Sequence, residues 1–318
     1  MRKIWLIAAA LLALTGHAAT WPERAVTLVV PFPAGGSTDT VARTLAQHMS
    51  QQLGQPFVVE NRPGATGTVG AGSVKRSPAD GYTLLVTSLG PLVITPHLQS
   101  HPGYDAVQDF DYISMAVQAP NVLVVHPKQA ARSVADVIAA LKAQPGQHSF
   151  ASSGIGSSDH LSAELFWQQT GTTGLHVPYK GGAPAISDLL GGQVEYSFQN
   201  INAVLPHLRS GKLVAIAVTS KQRSPALPYV PTLSEAGVQG AEVYSWQGMV
   251  APKGLATEVK AKLAQAAIAA LRKSEVQERY IAQGFEIIAS SPASFTRFQA
   301  QEFERWKQLI RQRKITAD

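Results

Sequence analysis

The chain has 318 residues and contains no cysteine, which excludes a disulfide framework, a thiol nucleophile and a thiolate metal site. Its formal net charge of +6 comes from 27 basic and 21 acidic residues that are scattered along the sequence. Because no dense basic stripe with interleaved aromatic residues occurs, we expect no nucleic-acid partner. A length of about 300 residues exceeds a single typical core, so we expect two domains.

Residues 1–19 have the order of a secretory signal peptide. The chain begins Met-Arg-Lys, is apolar from Ile4 to Leu14, and continues with small residues up to Ala18 and Ala19. The apolar run is shorter than the roughly 20 residues that a membrane span needs. We expect cleavage after Ala18 or Ala19 and a soluble protein in the periplasm. An uncleaved membrane anchor is the alternative.

The stretch from Val29 to Thr40, read VVPFPAGGSTDT, predicts a strand, a tight loop and a helix. The apolar run Ala25 to Val30 leads into a Pro/Gly turn, and Ser37 to Asp39 are N-cap residue types. Gly35 and Gly36 would let a ligand approach the first turn of the helix, where free N–H groups and the dipole favour an anion. Neither GxxxxGK[ST] nor GxGxxG is present, so we predict an anion site but no nucleotide site.

Beyond this helix, the sequence predicts further strands in a βαβ-like arrangement. Phe57 to Glu60 and Tyr82 to Thr87 are short apolar runs, with a glycine-punctuated loop from Asn61 to Gly72 between them. Asn121 to His126 is another apolar run. Continuous apolar strands are typical of a parallel sheet that helices cover on both faces. We therefore predict an α/β fold.

The middle of the chain repeats the pattern of the opening stretch. A strand at Ser149 to Ser152 precedes a loop at Ser153 to Ser158, and a helix begins near Asp159. A strand at Leu175 to Tyr179 precedes the loop Lys180 to Ala183 and another helix. Each strand, loop and helix unit directs a helix N-terminus at the carboxyl edge of the sheet, where ligands bind in open α/β folds.

The remaining predicted elements complete the fold and give no indication of a chemical function. They are strands at Val194 to Phe198, Leu213 to Thr219 and Glu242 to Ala251, a proline-rich linker at Arg223 to Pro231, and helices beginning near Ser133, Thr257 and Pro292. Ser133 with Asp136 forms an acidic variant of the capping box. The two closing helices are expected to cover the core.

Three residue types of a catalytic triad, Ser157, Asp159 and His160, stand within four positions. A nucleophile elbow needs GxSxG, but position 159 is not glycine, and triad members normally come from distant segments. We therefore expect no catalytic residue and no enzyme. A periplasmic serine hydrolase that uses Ser157 and His160 is the alternative from another functional class.

Metal and cofactor chemistry have weak support in the sequence. His97 and His101 have metal-like spacing, but Pro96 and Pro102 bracket them and no HExxH glutamate accompanies them. We expect both histidines on an irregular loop without a metal. Lys180 could form a Schiff base, yet no neighbouring residue indicates a cofactor. We predict neither a metal nor a cofactor.

Eight stretches, in order over most of the mature chain, carry a family likeness. They are PFPAGGSTDTVAR (Pro31 to Arg43), GQPFVVENRPGATGTVGA (Gly54 to Ala71), PADGYTLLVTS (Pro78 to Ser88), YDAVQDF (Tyr104 to Phe110), PNVLVVHP (Pro120 to Pro127), HVPYKGGAPAISDLLGGQV (His176 to Val194), LPHLRSGKLVAIAVTS (Leu205 to Ser220) and RSPALPYVPTLSEAGV (Arg223 to Val238). The sequence resembles the Bug-type, TctC-like substrate-binding receptors of tripartite tricarboxylate transporters.

This resemblance implies a two-domain, type II-like periplasmic-binding-protein fold with a ligand cleft between the domains. Residues 20–119 and 221–318 would form the discontinuous first domain, and residues 120–220 the second. The implied function is capture of a small carboxylate by domain closure and delivery to integral membrane transporter subunits. We expect a monomer. A sensor module that signals to a membrane kinase would share every one of these sequence features.

The resemblance also implies the ligand-binding residues. They are Phe32, Ala34, Gly35, Gly36, Ser37, Thr38 and Asp39 in the first loop, Ser88, then Ser152, Ser153, Gly156, Ser157 and His160 in the second, Tyr179 and Gly181 in the third, and Gln199 with Asn200. The first two loops contain no lysine or arginine. We therefore expect neutral donors, backbone N–H groups with the hydroxyls of Ser37, Thr38 and Ser157, to hold the carboxylate.

One departure from the family pattern bears on the ligand. Many relatives have aspartate followed by asparagine where this sequence has Gln199 and Asn200, which removes a negative charge from the implied cleft. A cleft without that carboxylate should not favour an ammonium group, as in an amino acid. We expect a dicarboxylate or an aromatic carboxylate instead.

Overall fold

The structure is a computed structural model and describes residues 21–316. The signal peptide expected at residues 1–19 lies outside this range. The strands are β1 (Val26–Val30), β2 (Phe57–Asn61), β3 (Thr83–Ser88), β4 (Phe110–Val125), β5 (Ser149–Ser152), β6 (Leu175–Pro178), β7 (Tyr196–Asn200), β8 (Val214–Val218), β9 (Tyr244–Pro252) and β10 (Glu286–Ile287).

Helices alternate with these strands over most of the described chain. They are α1 (Ser37–Leu53), α2 (Thr68–Lys75), α3 (Thr95–Leu98), α4 (Val134–Ala143), α5 (Ser158–Thr170), α6 (Gly182–Leu190), α7 (Ile201–Arg209), α8 (Thr257–Leu271), α9 (Ser274–Ala282) and α10 (Pro292–Arg313). None of the helices within residues 21–316 is long and apolar enough to cross a membrane.

The sheet is mixed rather than fully parallel. Its order is β2-β1-β3-β9-β4-β7-β5-β6, and β8 and β10 also pair with β4. Strand β1 is parallel to β2 and β3, and β5 is parallel to β6 and β7. Every pairing of β4 is antiparallel. The parallel arrangement expected from the sequence therefore holds for β1 and β5, the strands that lead into the first two predicted ligand loops.

Strand β4 passes through both halves of the sheet. Its residues Phe110 to Pro120 pair with β9, and Asn121 to Val125 pair with β7 and β8. We call β1, β2, β3, β9, β10 and Phe110 to Pro120 the first half-sheet, and β5 to β8 with Asn121 to Val125 the second. The chain returns from β8 to β9, so it crosses between the half-sheets twice. The domain boundaries expected at 119/120 and 220/221 lie near these crossings and stay a prediction.

The two crossings are hydrogen-bonded to each other through Thr219. Its Oγ1 accepts a hydrogen bond from the Asn121 N–H at 2.9 Å and donates to the Val243 carbonyl at 2.5 Å. The Thr219 N–H donates to the Asn121 carbonyl at 2.9 Å. Thr219 and Asn121 are fully buried. This side chain therefore fastens together the two segments that connect the half-sheets.

Helices cover both faces of the sheet, as predicted. Val26, Leu28 and Val30 of β1 contribute to one apolar core with α1 and α8, whereas Val29 contributes to the other core with α2 and α10. This division follows from the alternation of side chains along a strand. Both cores continue under the second half-sheet, where α6 and α7 cover one face and α4 and α5 the other.

Several local predictions were wrong for identifiable reasons. The loop expected from Asn61 to Gly72 contains most of helix α2. The glycines that suggested a loop instead allow close packing of this helix. A Cβ on Gly70 would lie 2.7 Å from the Pro31 Cβ and 2.9 Å from the Arg62 carbonyl oxygen. His97 lies in α3, where its Nε2 is 2.9 Å from the Phe303 carbonyl oxygen, rather than on an irregular loop.

Candidate ligand-binding site

Helices α1, α5, α6 and α7 all begin at one cleft, which two adjoining cavities form. The first cavity, of about 290 Å³, lies between the loops before α1 and α5 and the ends of β3 and β9. The second, of about 650 Å³, lies beside the N-termini of α6 and α7. Gly36, Ser37, Ser153 and Asn200 line both cavities. The strand, loop and helix units that the sequence predicted therefore meet at this cleft.

The first loop places free backbone donors in the cleft. Helix α1 begins at Ser37 with Gly36 as its extended N-cap, so Ser37 to Asp39 form the first turn rather than the cap. Without a capping side chain, the N–H groups of Ser37 and Thr38 have no hydrogen-bond partner within residues 21–316. Such N–H groups at a helix N-terminus favour an anion.

Asp39 shapes this loop from behind and does not line the cleft cavities. Its carboxylate accepts hydrogen bonds from the Gly35 N–H at 3.0 Å, from Arg43 Nε at 2.8 Å and from Asn61 Nδ2 at 2.9 Å. Burial on its own would raise the pKa of Asp39, but these hydrogen bonds hold that pKa below its usual range. The structure thus makes Asp39 an ionised residue that positions the loop.

The second loop is closed by its own hydrogen bonds. Ser157 caps α5 by accepting from the His160 N–H at 3.4 Å, and its hydroxyl donates to the Gly154 carbonyl at 2.5 Å. Ser157 was expected to donate its hydroxyl proton to the ligand, but in the structure that proton is donated to the Gly154 carbonyl. The N–H groups of Ser158 and Asp159, in contrast, have no partner among the described residues.

Asp159 is a buried carboxylate that lines the first cavity. It accepts hydrogen bonds from the Ser153 N–H at 2.7 Å, the Ser153 hydroxyl at 2.6 Å and Gln199 Nε2 at 3.3 Å. Its other oxygen accepts from the His160 N–H at 3.2 Å. Gln199 adds no negative charge to the cleft, but the Asp159 carboxylate remains there. Gln199 provides one of the donors that satisfy this carboxylate.

His160 lies behind the second loop and does not line the cleft cavities. Its Nδ1 accepts from the Gly156 N–H at 3.1 Å, and its Nε2 is 3.7 Å from Glu164 Oε1. The ring stacks on His176 with centroids 3.9 Å apart. Both ring nitrogens thus face groups other than Ser157, so the side chains do not assemble the triad that a serine hydrolase needs.

The stacked histidines extend a partly buried polar cluster away from the cleft. His176 Nε2 is 2.6 Å from the Ser152 hydroxyl, and Arg313 Nε donates to Glu164 at 2.7 Å. Burial, followed by electrostatic repulsion from the neighbouring His160 ring, lowers the pKa of His176 to about 4. His176 is therefore neutral at pH 7. The cluster supports the second loop from beneath.

The third loop and the start of α7 complete the cleft. Gly181 is the N-cap of α6 at φ 112°, which favours glycine. Tyr179 was expected to bind the ligand, but its hydroxyl donates to Asp188 at 2.7 Å. Burial together with this contact raises the pKa of Tyr179 to about 12. Asn202 Nδ2 donates to the Ser37 hydroxyl at 2.7 Å and so joins the second half-sheet to the first across the cleft.

Most of the residues expected in the site line the cleft. These are Phe32, Gly35, Gly36, Ser37, Thr38, Ser88, Ser153, Gly156, Ser157, Gly181, Gln199 and Asn200. The expected residues that do not line either cavity are Ala34, Asp39, Ser152, His160 and Tyr179. Ligand binding by any of the expected residues, whether or not it lines a cavity, stays a prediction.

The cleft has few charges. No lysine or arginine is among its lining residues in the described chain, and Asp159 and His207 are its titratable side chains. Within residues 21–316, no group of three or more His, Asp or Glu side chains could hold a metal ion. Besides the ring of His207, the donors that face the cleft are therefore backbone N–H groups, hydroxyls and amides.

Comparison with known proteins identifies the family. The model of the tripartite tricarboxylate transporter family receptor matches residues 41–315. The chain belongs to this receptor family. It is 41% identical to protein BugT of Bordetella pertussis over 307 residues, which cover 96% of this chain and 94% of BugT. The resemblance to Bug-type, TctC-like receptors inferred from sequence motifs is confirmed.

Two solved structures share the fold. An R. palustris protein with adipate is 37% identical, with a TM-score of 0.87 over 93% of this chain and 99% of that chain. MatC from Rhodopseudomonas palustris with bound malate is 32% identical, with a TM-score of 0.83 over 91% of this chain and 100% of that chain. The predicted α/β periplasmic-binding-protein fold is thereby confirmed.

Sequence reasoning missed one side of the cleft. Ser245 and Gln247 of β9 and Thr66 line the first cavity, and Asn202 lines the second. A signal for β9 existed, because Ser245 and Gln247 alternate with Trp246 and place two polar side chains on one face of an otherwise apolar strand. Thr66 and Asn202 had no comparable signal in the sequence.

Proposed function

We propose that this chain is a periplasmic receptor that captures a small carboxylate and delivers it to the membrane subunits of a tripartite tricarboxylate transporter. The observation that carries the proposal is the convergence of the N-termini of α1, α5, α6 and α7 on one cleft. Membership of the receptor family supports the transport role. The cleft has the donors of a binding site, and the Ser157 and His160 side chains do not form a catalytic pair.

A carboxylate would be held by neutral donors. Burial of an anion costs several kcal/mol unless hydrogen bonds replace its hydration. The free N–H groups of Ser37, Thr38, Ser158 and Asp159 can provide such bonds, and each helix N-terminus adds roughly 0.3 to 1 kcal/mol from its dipole. The anion would lie where the loops before α1 and α5 face each other across the first cavity.

The first cavity has room for a small dicarboxylate or an aromatic carboxylate. Its volume of about 290 Å³ corresponds to about ten water molecules at roughly 30 Å³ each. A linear dicarboxylate of four to six carbons or a benzoate has a similar number of heavy atoms. The relatives with adipate and with malate support a dicarboxylate. The Asp159 carboxylate already accepts four hydrogen bonds from the protein. This argues against a ligand with an ammonium group that would pair with Asp159.

Binding would be coupled to closure of two domains, residues 20–119 with 221–318 and residues 120–220. The two chain crossings at Asn121 and Thr219 permit a hinge. The hydrogen bond between Asn202 and Ser37 is a contact that opening would break. Small-angle scattering should show a smaller radius of gyration with saturating ligand. An unchanged radius, with binding confirmed separately, would contradict closure.

We place the mature protein in the periplasm after removal of residues 1–19. The order of basic, apolar and small residues at the N-terminus supports this export. Mass spectrometry of protein isolated from the periplasmic fraction should give a mass that lacks these residues. A mass that includes Met1 would contradict the proposed processing.

A thermal-shift screen against mono-, di- and tricarboxylates tests the function. A ligand that binds only the folded protein adds about 2.7 kcal/mol to its stability at 100 times its Kd. We expect a rise in Tm with at least one small carboxylate and no consumption of that ligand on long incubation. No stabilisation by any carboxylate would contradict the proposal, and conversion of the ligand would favour an enzyme.

A further inference from the structure

A polar patch lies in the first cavity on the side formed by β3 and β9. It consists of Ser88, Ser245 and Gln247, which we call the strand patch, and all three line the cavity. Ser88 is paired directly with Gln247 in the antiparallel register, and Ser245 precedes Gln247 by two positions. Cross-strand partners and residues two apart share one face of a sheet. The three side chains therefore form a single surface.

The hydrogen-bonding capacity of the strand patch is not used by the protein. Gln247 is 2% exposed, and its Oε1 has no hydrogen-bond partner in the described part of the chain. Its Nε2 makes one long contact, 3.5 Å to the Ser245 hydroxyl oxygen. Across residues 21–316, the hydroxyls of Ser88 and Ser245 donate to no side-chain or backbone acceptor. A buried polar atom such as the Gln247 Oε1 is rarely left without a partner in a folded protein.

The chemistry of the unused groups selects the complementary ligand group. The serine hydroxyls need an acceptor, whereas the Gln247 Oε1 needs a donor. A carboxylate only accepts, so it would satisfy the serines and leave Oε1 without a partner. A hydroxyl group accepts from a serine and donates to Oε1 at the same time. With the Gln247 amide in this orientation, the strand patch is complementary to a hydroxyl rather than to a second carboxylate.

We infer that the ligand is a hydroxycarboxylate and that Gln247 determines this specificity by accepting a hydrogen bond from the ligand hydroxyl. The inference rests on the proposed carboxylate-receptor function. Ser37, Thr38 and Ser158 line the same cavity as the strand patch. One ligand of about ten heavy atoms can thus place its carboxylate at the helix N-termini and its hydroxyl at Gln247.

Calorimetric titration with matched ligand pairs tests the inference. The probes are succinate against L- and D-malate, and benzoate against 3- and 4-hydroxybenzoate. In the wild-type protein, we expect a hydroxylated member to bind more than tenfold tighter than its parent. In Gln247→Met, which keeps the side-chain length but removes the acceptor, this ratio should fall below threefold. Gln301→Met, at an exposed position of α10, is the matched control and should keep the wild-type ratio.

The outcomes separate this inference from the function on which it rests. If neither pair binds to the wild-type protein while adipate, which has no hydroxyl, does bind, the hydroxycarboxylate inference is wrong; if no carboxylate of the thermal-shift screen binds either, the carboxylate-receptor function itself is contradicted. If carboxylates bind without a hydroxyl preference, or if the preference survives in Gln247→Met, only the role of Gln247 is wrong. Tighter binding of succinate than of both malates would mean that the amide offers its NH₂ group to a carboxylate. Ser245→Ala, which should also reduce the preference, replaces Gln247→Met if that variant does not fold.

Discussion

Replacing Thr219 by valine should weaken the junction at which the two half-sheets meet. The substitution keeps the branched shape of the side chain but removes the hydroxyl. The buried Asn121 N–H then loses its acceptor at 2.9 Å, and the Val243 carbonyl loses a donor at 2.5 Å. Because Asn121 is 0% exposed, water cannot replace the lost partner.

The expected loss follows from these two bonds. A buried donor left without its partner costs about 1 to 3 kcal/mol, and the loss of the second bond adds roughly 1 kcal/mol. We therefore expect Thr219→Val to lower the free energy of unfolding by about 2 to 4 kcal/mol. Thr219→Ser keeps the hydroxyl and removes one methyl group, so it should cost only about 1 kcal/mol.

Urea unfolding monitored by tryptophan fluorescence compares the two variants with the wild-type protein. The decisive quantity is the difference in unfolding free energy between valine and serine at position 219. If the valine variant is as stable as the serine variant, or more stable, the hydroxyl does not hold the crossings together.

Two further predictions concern the second loop. Burial lowers the pKa of His176 to about 4 from 6.5, so the unfolded chain binds the extra proton first as the pH falls. The free energy of unfolding should therefore decrease as the pH falls from 6.5 to 4, by up to about 3 kcal/mol. Urea titrations at several pH values should show that the unfolding free energy of His176→Gln depends less on pH than that of the wild-type protein. The same pH dependence in both proteins would contradict this. Gly156→Ala should weaken carboxylate binding about tenfold, because φ is +78° and the new Cβ would lie 2.7 Å from Leu98 Cδ1. The control is Gly171→Ala, which has similar backbone strain at φ +61° but no atom within 4 Å of the added Cβ. It should bind the carboxylate with wild-type affinity in calorimetry. Equal affinities of the two variants would mean that the contact between Gly156 and Leu98 does not matter for binding.

The loops of the site could be predicted because their signals are local. Glycines followed by Ser37 to Asp39, and by Ser157 to Asp159, mark a strand, turn and helix within a dozen residues. The exact cap could not be predicted, since Gly36 and not a hydroxyl residue caps α1. The acidic residue in each first turn points back to the loop instead, at Gly35 and at Ser153.

Other features depend on contacts between distant segments. The first part of β4 was missed because Asp111 and Ser114 interrupt its apolar pattern. Asp111 is buried with ion pairs to Lys253 and Lys260, and Ser114 bonds to the Ser290 carbonyl. None of these partners lies near β4 in the sequence. The strand patch likewise exists only because the register of β3 against β9 places Ser88 opposite Gln247.

Calorimetry with a dicarboxylate and its neutral analogue tests whether the cleft is an anion site. The mature protein should bind adipate or malate saturably with one ligand per chain, and the corresponding diamide, which has no negative charge, should not bind measurably. The free N–H groups at α1 and α5 would then distinguish an anion from a neutral ligand of the same shape. Equal binding of the diamide, or an absence of binding by every carboxylate, would contradict an anion site built from helix N-termini.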